Sequence, residues 1–93
     1  MLSVINASYK DGYRISLLFS DHSAGIVDLE AFILDGKIKP FQVLADKKKF
    51  KAFQVDYTLM WGDELDLAPE FLYFSAFKNV ESLQNKFKAW GYI

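Results

Sequence analysis

At 93 residues, with 52% hydrophobic and 17% aromatic side chains, the chain is long enough for one hydrophobic core and too apolar to stay disordered. It has no cysteine, which excludes a disulfide framework and a thiolate metal site and points to a reducing compartment. The formal net charge of −1 excludes a globally basic nucleic-acid binder. The stretch Met1 to Asn6 lacks the basic and apolar regions of a leader, and no uncharged apolar run reaches the length of a membrane span. The expectation is one soluble, cytoplasmic domain.

The first elements read as strands. Leu2 to Tyr9 alternates loosely, Lys10-Asp11-Gly12 carries an Asp-Gly turn signal, and Tyr13, Ile15, Leu17 and Phe19 recur at period two on one face. Ser20 to Ser23 is a polar turn and Ala24 to Leu29 a third short strand, so residues 1 to 29 read as an antiparallel meander. Glu30 to Leu34 reads as a helical turn broken by Asp35-Gly36, and Phe41 to Leu44 as a loop that docks apolar side chains beneath the sheet.

Asp46 is placed to cap a short helix from Lys47 to Phe50 or Lys51. Phe53 to Trp61 is rich in strand formers and fits one continuous strand or a tight hairpin about Asp56. Leu65 to Leu67 is a short strand, and Pro69 opens a helix reaching toward Tyr73. A last amphipathic helix has Asn79 as its expected N-cap, Leu83, Phe87 and Trp90 on its apolar face, and Gly91 as its stop. The fold class is therefore α+β: a small antiparallel sheet, from the meander plus a central strand or hairpin, packed against two or three short helices. A body over residues 1–78 precedes a helical extension over 79–93.

Charge is segregated along the chain. Lys37 to Lys51 holds six lysines, Lys37, Lys39, Lys47, Lys48, Lys49 and Lys51, against Asp46 alone, whereas Asp56 to Glu70 holds five acids and no Lys or Arg. The two stretches can form opposed electrostatic faces. Lys47, Lys48, Lys49 and Lys51, with Phe50 and Phe53 for base stacking, are the candidates for nucleic-acid contact, although the single arginine, Arg14, weakens that reading. A solvated face over buried rings is the simpler account.

Asp63, Glu64, Asp66 and Glu70 are oxygen donors suited to a hard cation, but their spacing matches no calcium loop, and a solvated acidic rim is the simpler account. His22 is the only histidine, which excludes multi-histidine metal centres within one chain. Asp21-His22-Ser23 resembles a triad only as a string, because a relay needs converging side chains. Trp61 and Tyr73 suit either a ligand pocket or the core. Phe87 and Trp90 suit either a lid on this chain or a dimer contact.

In chain order, Phe19-Ser20-Asp21, Val27-Asp28-Leu29, Leu44-Ala45-Asp46 to Phe50, Val55-Asp56, Trp61-Gly62-Asp63, Asp66-Leu67-Ala68 and Pro69-Glu70-Phe71-Leu72-Tyr73 form a series that resembles the bacterial family known as domain of unknown function 2442. The resemblance covers residues 1 to about 73. It implies an α+β fold and, in some relatives, linkage to a helix-turn-helix domain or to a neighbouring gene of toxin–antitoxin type; it implies no catalytic residue. The chain departs from the family pattern at His22, where glycine is usual, and in its last 20 residues. The expected function is that of a protein-interaction or accessory domain, a regulatory or toxin–antitoxin-like partner, with a protein partner or self-association, no cofactor and no membrane. The alternatives are a nucleic-acid accessory domain acting through Lys37 to Lys51 and a small carboxylate-dependent hydrolase.

Overall fold

The period-two face of Tyr13, Ile15, Leu17 and Phe19 is the floor of the core, every one of the four being buried. A computed structural model describes all residues from Met1 to Ile93. Strands β1 (Val4–Asp11), β2 (Arg14–Phe19) and β3 (Ala24–Asp28) form an antiparallel sheet in that order. The β1–β2 link is Gly12-Tyr13, with Gly12 at φ 46, a left-handed conformation that glycine adopts without steric cost. Ile15 faces Val27 and Leu17 faces Gly25 across the β2–β3 pair. Gly25 has a packing reason: a Cβ there would lie 2.7 Å from the Phe77 ring, far inside van der Waals contact.

The turn into β3 contains His22 at φ 71. That conformation favours glycine, yet the chain carries histidine there. After β3 come α1 (Glu30–Leu34), burying Ile33, a 3-10 helix over Lys39–Ala45, burying Phe41 and Leu44, and α2 (Lys47–Phe50). Asp46 caps α2 as expected, its carboxylate accepting the Lys48 N–H at 3.0 Å.

Of the two readings for Phe53 to Trp61, the hairpin is the one that forms. Strands β4 (Gln54–Asp56), β5 (Thr58–Trp61) and β6 (Leu65–Leu67) pair antiparallel as a second three-stranded sheet rather than extending the first. Tyr57 makes the β4–β5 turn at φ 58 and is 59% exposed. Two features join the sheets. The Val4 N–H donates to the Tyr57 carbonyl at 2.8 Å, and the Phe50 ring packs edge-on to Tyr13 and Tyr9 of the first sheet and tilted against Trp61 of the second.

Helix α3 (Pro69–Phe77) runs a full turn beyond Tyr73, with Pro69 at its first position. The final helix, α4 (Gln84–Trp90), starts later than the Asn79 cap predicts: Glu81–Leu83 forms a 3-10 turn and Asn79 makes no capping bond. The cause is Gln84, whose side-chain amide donates to the carbonyls of Lys78 and Val80 at 3.0 and 2.9 Å and holds the tighter approach. Gly91 ends α4 in the left-handed conformation, φ 86.

Candidate functional site

Two regions gather the polar and aromatic residues singled out by the sequence. The first is the junction of the β2–β3 turn, α3 and α4. The Tyr73 ring is buried, edge-on to Phe19, and its hydroxyl donates to Asp21 Oδ2 at 2.9 Å. Ser23 bridges the same pair, its N–H donating to Asp21 Oδ1 at 2.9 Å and its hydroxyl lying 3.5 Å from the Tyr73 oxygen. Phe87 is fully buried and packs against Tyr73 and Phe74, Trp90 packs against Tyr73, and Tyr92 stacks on Phe74. Lys86 lies over both the Tyr73 and the Trp90 rings. Helix α4 thus packs on its own chain through Phe87, while Trp90 stays 36% exposed.

Electrostatics at this junction are opposed. Burial raises the Asp21 carboxyl, but the Ser23 N–H, the Tyr73 and Ser23 hydroxyls and Lys86 outweigh it and hold the group below the usual carboxylate range. Burial raises the Tyr73 hydroxyl, and Asp21 reinforces the shift against the opposing effect of Ser23. A depressed carboxylate contributes stability that is present above its unfolded pKa and lost as pH falls through the folded value. Tyr73→Phe removes one donor from Asp21. It should therefore cost about 1 kcal/mol at neutral pH, and the gap to wild type should shrink below about pH 4. Thermal melts at both pH values check this; an equal gap at both would show that the Tyr73–Asp21 bond does not couple to folding. Lys86, Trp90, Asp21, Ser20, Leu2 and Met1 line an open cleft of about 300 Å³ beside the junction.

The second region is charged. Lys47, Lys48, Lys49 and Lys51 are all exposed on and just after α2, with Lys47 over the Tyr13 ring and Lys51 over the Tyr9 ring. The aromatic Phe50 points inward and is fully buried, so it offers no stacking platform to a base. Trp61 is a core residue, its indole N–H donating to the Phe50 carbonyl at 2.7 Å. Immediately after it, Gly62, Asp63 and Glu64 form the β5–β6 turn, with the Gly62 N–H donating to the Gln54 side chain at 3.3 Å. The first bond ties the Trp61 side chain to the end of α2, and the second ties the acidic turn to β4.

The fold divides the acidic stretch. Asp63 and Glu64 lie at one end of the second sheet and Asp56 at the other, beside the Tyr57 turn, while Asp66 is exposed in β6 opposite Met60. No three His, Asp or Glu side chains converge to hold a metal ion. No helix is long and apolar enough to cross a membrane.

Of the sequence candidates, Tyr73, Phe87 and Trp90 come together at the first region; Lys47, Lys48, Lys49 and Lys51 share α2 and its end, Trp61 packs on Phe50 of that helix, and Asp63 lies in the turn after Trp61. Asp66 belongs to neither group. Asp21, Ser23 and Lys86 are partners that sequence reasoning did not pair with Tyr73, because 52 residues separate Tyr73 from Asp21; only the Phe-Ser-Asp step marked one half of the contact.

Fold and site together define a small α+β domain of two three-stranded antiparallel sheets and short helices. The chain belongs to the family described as Protein of unknown function (DUF2442), which matches residues 4–78. The matched stretch ends at the close of α3, and α4 lies beyond it. No curated protein and no solved structure matches the chain.

Proposed function

We propose that this chain is a cytoplasmic protein-interaction domain, an accessory or regulatory partner of the kind found in toxin–antitoxin pairs, with residues 1–78 as its body and 79–93 as an attached lid. One observation carries the reading: the only ion pair in the protein is Arg14–Asp11. Neither the lysines of α2 nor the carboxylates of the β5–β6 turn form an ion pair within the chain. Exposed, unpaired charge of both signs steers and selects protein partners.

The nucleic-acid reading has less behind it, since Phe50 is buried and Lys47 and Lys51 are already seated over tyrosine rings. The test is retention by the immobilised domain in extract of the source cell, for wild type and for a variant with Lys47, Lys48, Lys49 and Lys51 all changed to Glu. A protein held by wild type and lost on charge reversal is the expected result. Retention of nucleic acid alone, abolished by the same changes, would replace this reading with the alternative.

A further inference from the structure

Backbone groups at the edge of a sheet stay unpaired unless another strand takes them up, and this protein treats its edges unequally. Strands β4 and β6 have three residues each. Strand β1 is irregular against β2 near both its ends, and its Val4 is tied to Tyr57 beside the second sheet. Strand β3 has none of these devices: its five residues pair with β2 without a bulge, and no strand lies on its other side.

The direction of the free groups follows from the ladder. The Leu29 N–H donates to the Tyr13 carbonyl and the Phe19 N–H to the Ser23 carbonyl, so the hydrogen-bonded pairs between them are Ile15–Val27 and Leu17–Gly25. Ala24, Ile26 and Asp28 alternate with these and direct their N–H and C=O groups away from β2. Helix α3 lies beneath the inward face, where a Cβ on Gly25 would meet Phe77 and Ala76. It leaves the edge open, and Ala24, Ile26 and Asp28 are all exposed.

We infer that this edge pairs with the same edge of a second copy of the chain, the two β3 strands running antiparallel about a two-fold axis at Ile26. Only an extended backbone supplies the alternating donors and acceptors that the edge requires, and β3 is complementary to itself. The register centred on Ile26 engages the whole strand of both copies. Ile26 faces Ile26, each Ala24 faces the other copy's Asp28, and every such pair exchanges both N–H···O=C bonds. The two isoleucines form an apolar cross-strand pair on the outer face. The two Asp28 carboxylates fall at opposite ends, each facing alanine, so like charges do not meet. Pairing consumes both free edges, and assembly closes at two copies. The contact uses neither the α2 lysines nor the acidic turn, so it stands or fails separately from the charge-reversal test above.

The chain has no cysteine, so single substitutions report the register by disulfide formation. Across the axis the two Ile26 Cα atoms lie about 5.5 Å apart, within disulfide reach, whereas the two Ala24 residues are offset along the strands by about 14 Å. Under mild oxidation I26C should cross-link to itself, A24C alone should not, and a mixture of A24C and D28C should. In sedimentation equilibrium wild type should form a reversible dimer. Ile26→Lys, which sets two ammonium groups against each other at the axis, should raise the dissociation constant at least about tenfold. Ile26→Pro, which removes an N–H that β2 does not use, should do the same. Circular dichroism first establishes that each variant folds; should the proline variant unfold, the lysine and cysteine variants, which change only an exposed side chain, carry the test. A monomeric wild type overturns the inference, as does a dimer that Ile26→Lys leaves intact or an A24C that cross-links to itself as readily as I26C.

Discussion

Replacing Phe50 with alanine should lower stability by about 3–5 kcal/mol, the range for emptying a fully buried aromatic site. Phe50 is fully buried and its ring touches Tyr9 and Tyr13 of the first sheet and Trp61 of the second. The void therefore opens at the seam between the sheets, where no single element can shift to close it. For a domain of this size that loss corresponds to a fall of more than about 10 °C in melting temperature. Urea unfolding followed by tryptophan fluorescence measures it directly, since Trp61 lies against the altered site. A loss below about 1 kcal/mol would show that the two sheets do not share one core.

The same substitution at Phe87 should behave differently although that ring is equally buried. Phe87 anchors α4, which is held to the body mainly by rings: Phe87 on Tyr73 and Phe74, Trp90 on Tyr73, and Tyr92 on Phe74. The cost of Phe87→Ala cannot exceed the free energy of docking the helix, because beyond that point α4 detaches and the body remains. We expect α4 amides to lose protection from hydrogen exchange while those of β2 keep theirs, with a global loss of about 1–3 kcal/mol. Equal loss of protection in α4 and β2 would make the extension an inseparable part of the core.

The strongest local patterns were legible in the sequence. Four alternating apolar residues from Tyr13 to Phe19 forecast a core strand, Asp46 forecast a helix cap, and Pro69 forecast a helix start, because each is a local effect. The split into two sheets was not legible: β4 and β6 have three residues each, too few to show a period. The late start of α4 escaped for a related reason, since Gln84 reaches back to carbonyls that only the folded turn presents.

The candidate site divides along the same line. Runs of like charge were visible as composition, yet the five acids of Asp56 to Glu70 read as one patch until the hairpin carried Asp56 to the opposite end of the sheet from Asp63. The pairing of Tyr73 with Asp21 depends on the whole intervening chain. The left-handed conformation of His22 was not legible either, since the sequence marked the position only as part of a polar turn.

The seam between the sheets also bears on how the chain folds. Each sheet closes through short turns, so its strands find one another quickly. The Val4–Tyr57 hydrogen bond and the Phe50 contacts with Tyr9 and Tyr13 instead join positions far apart in sequence and require a long loop to be closed first. Docking of the two sheets is therefore expected to limit the folding rate. As the chain leaves the ribosome, the first meander has all its strands well before the second sheet is complete, and its apolar face stays uncovered until Phe50 and the α3 rings Tyr73 and Phe77 are in place.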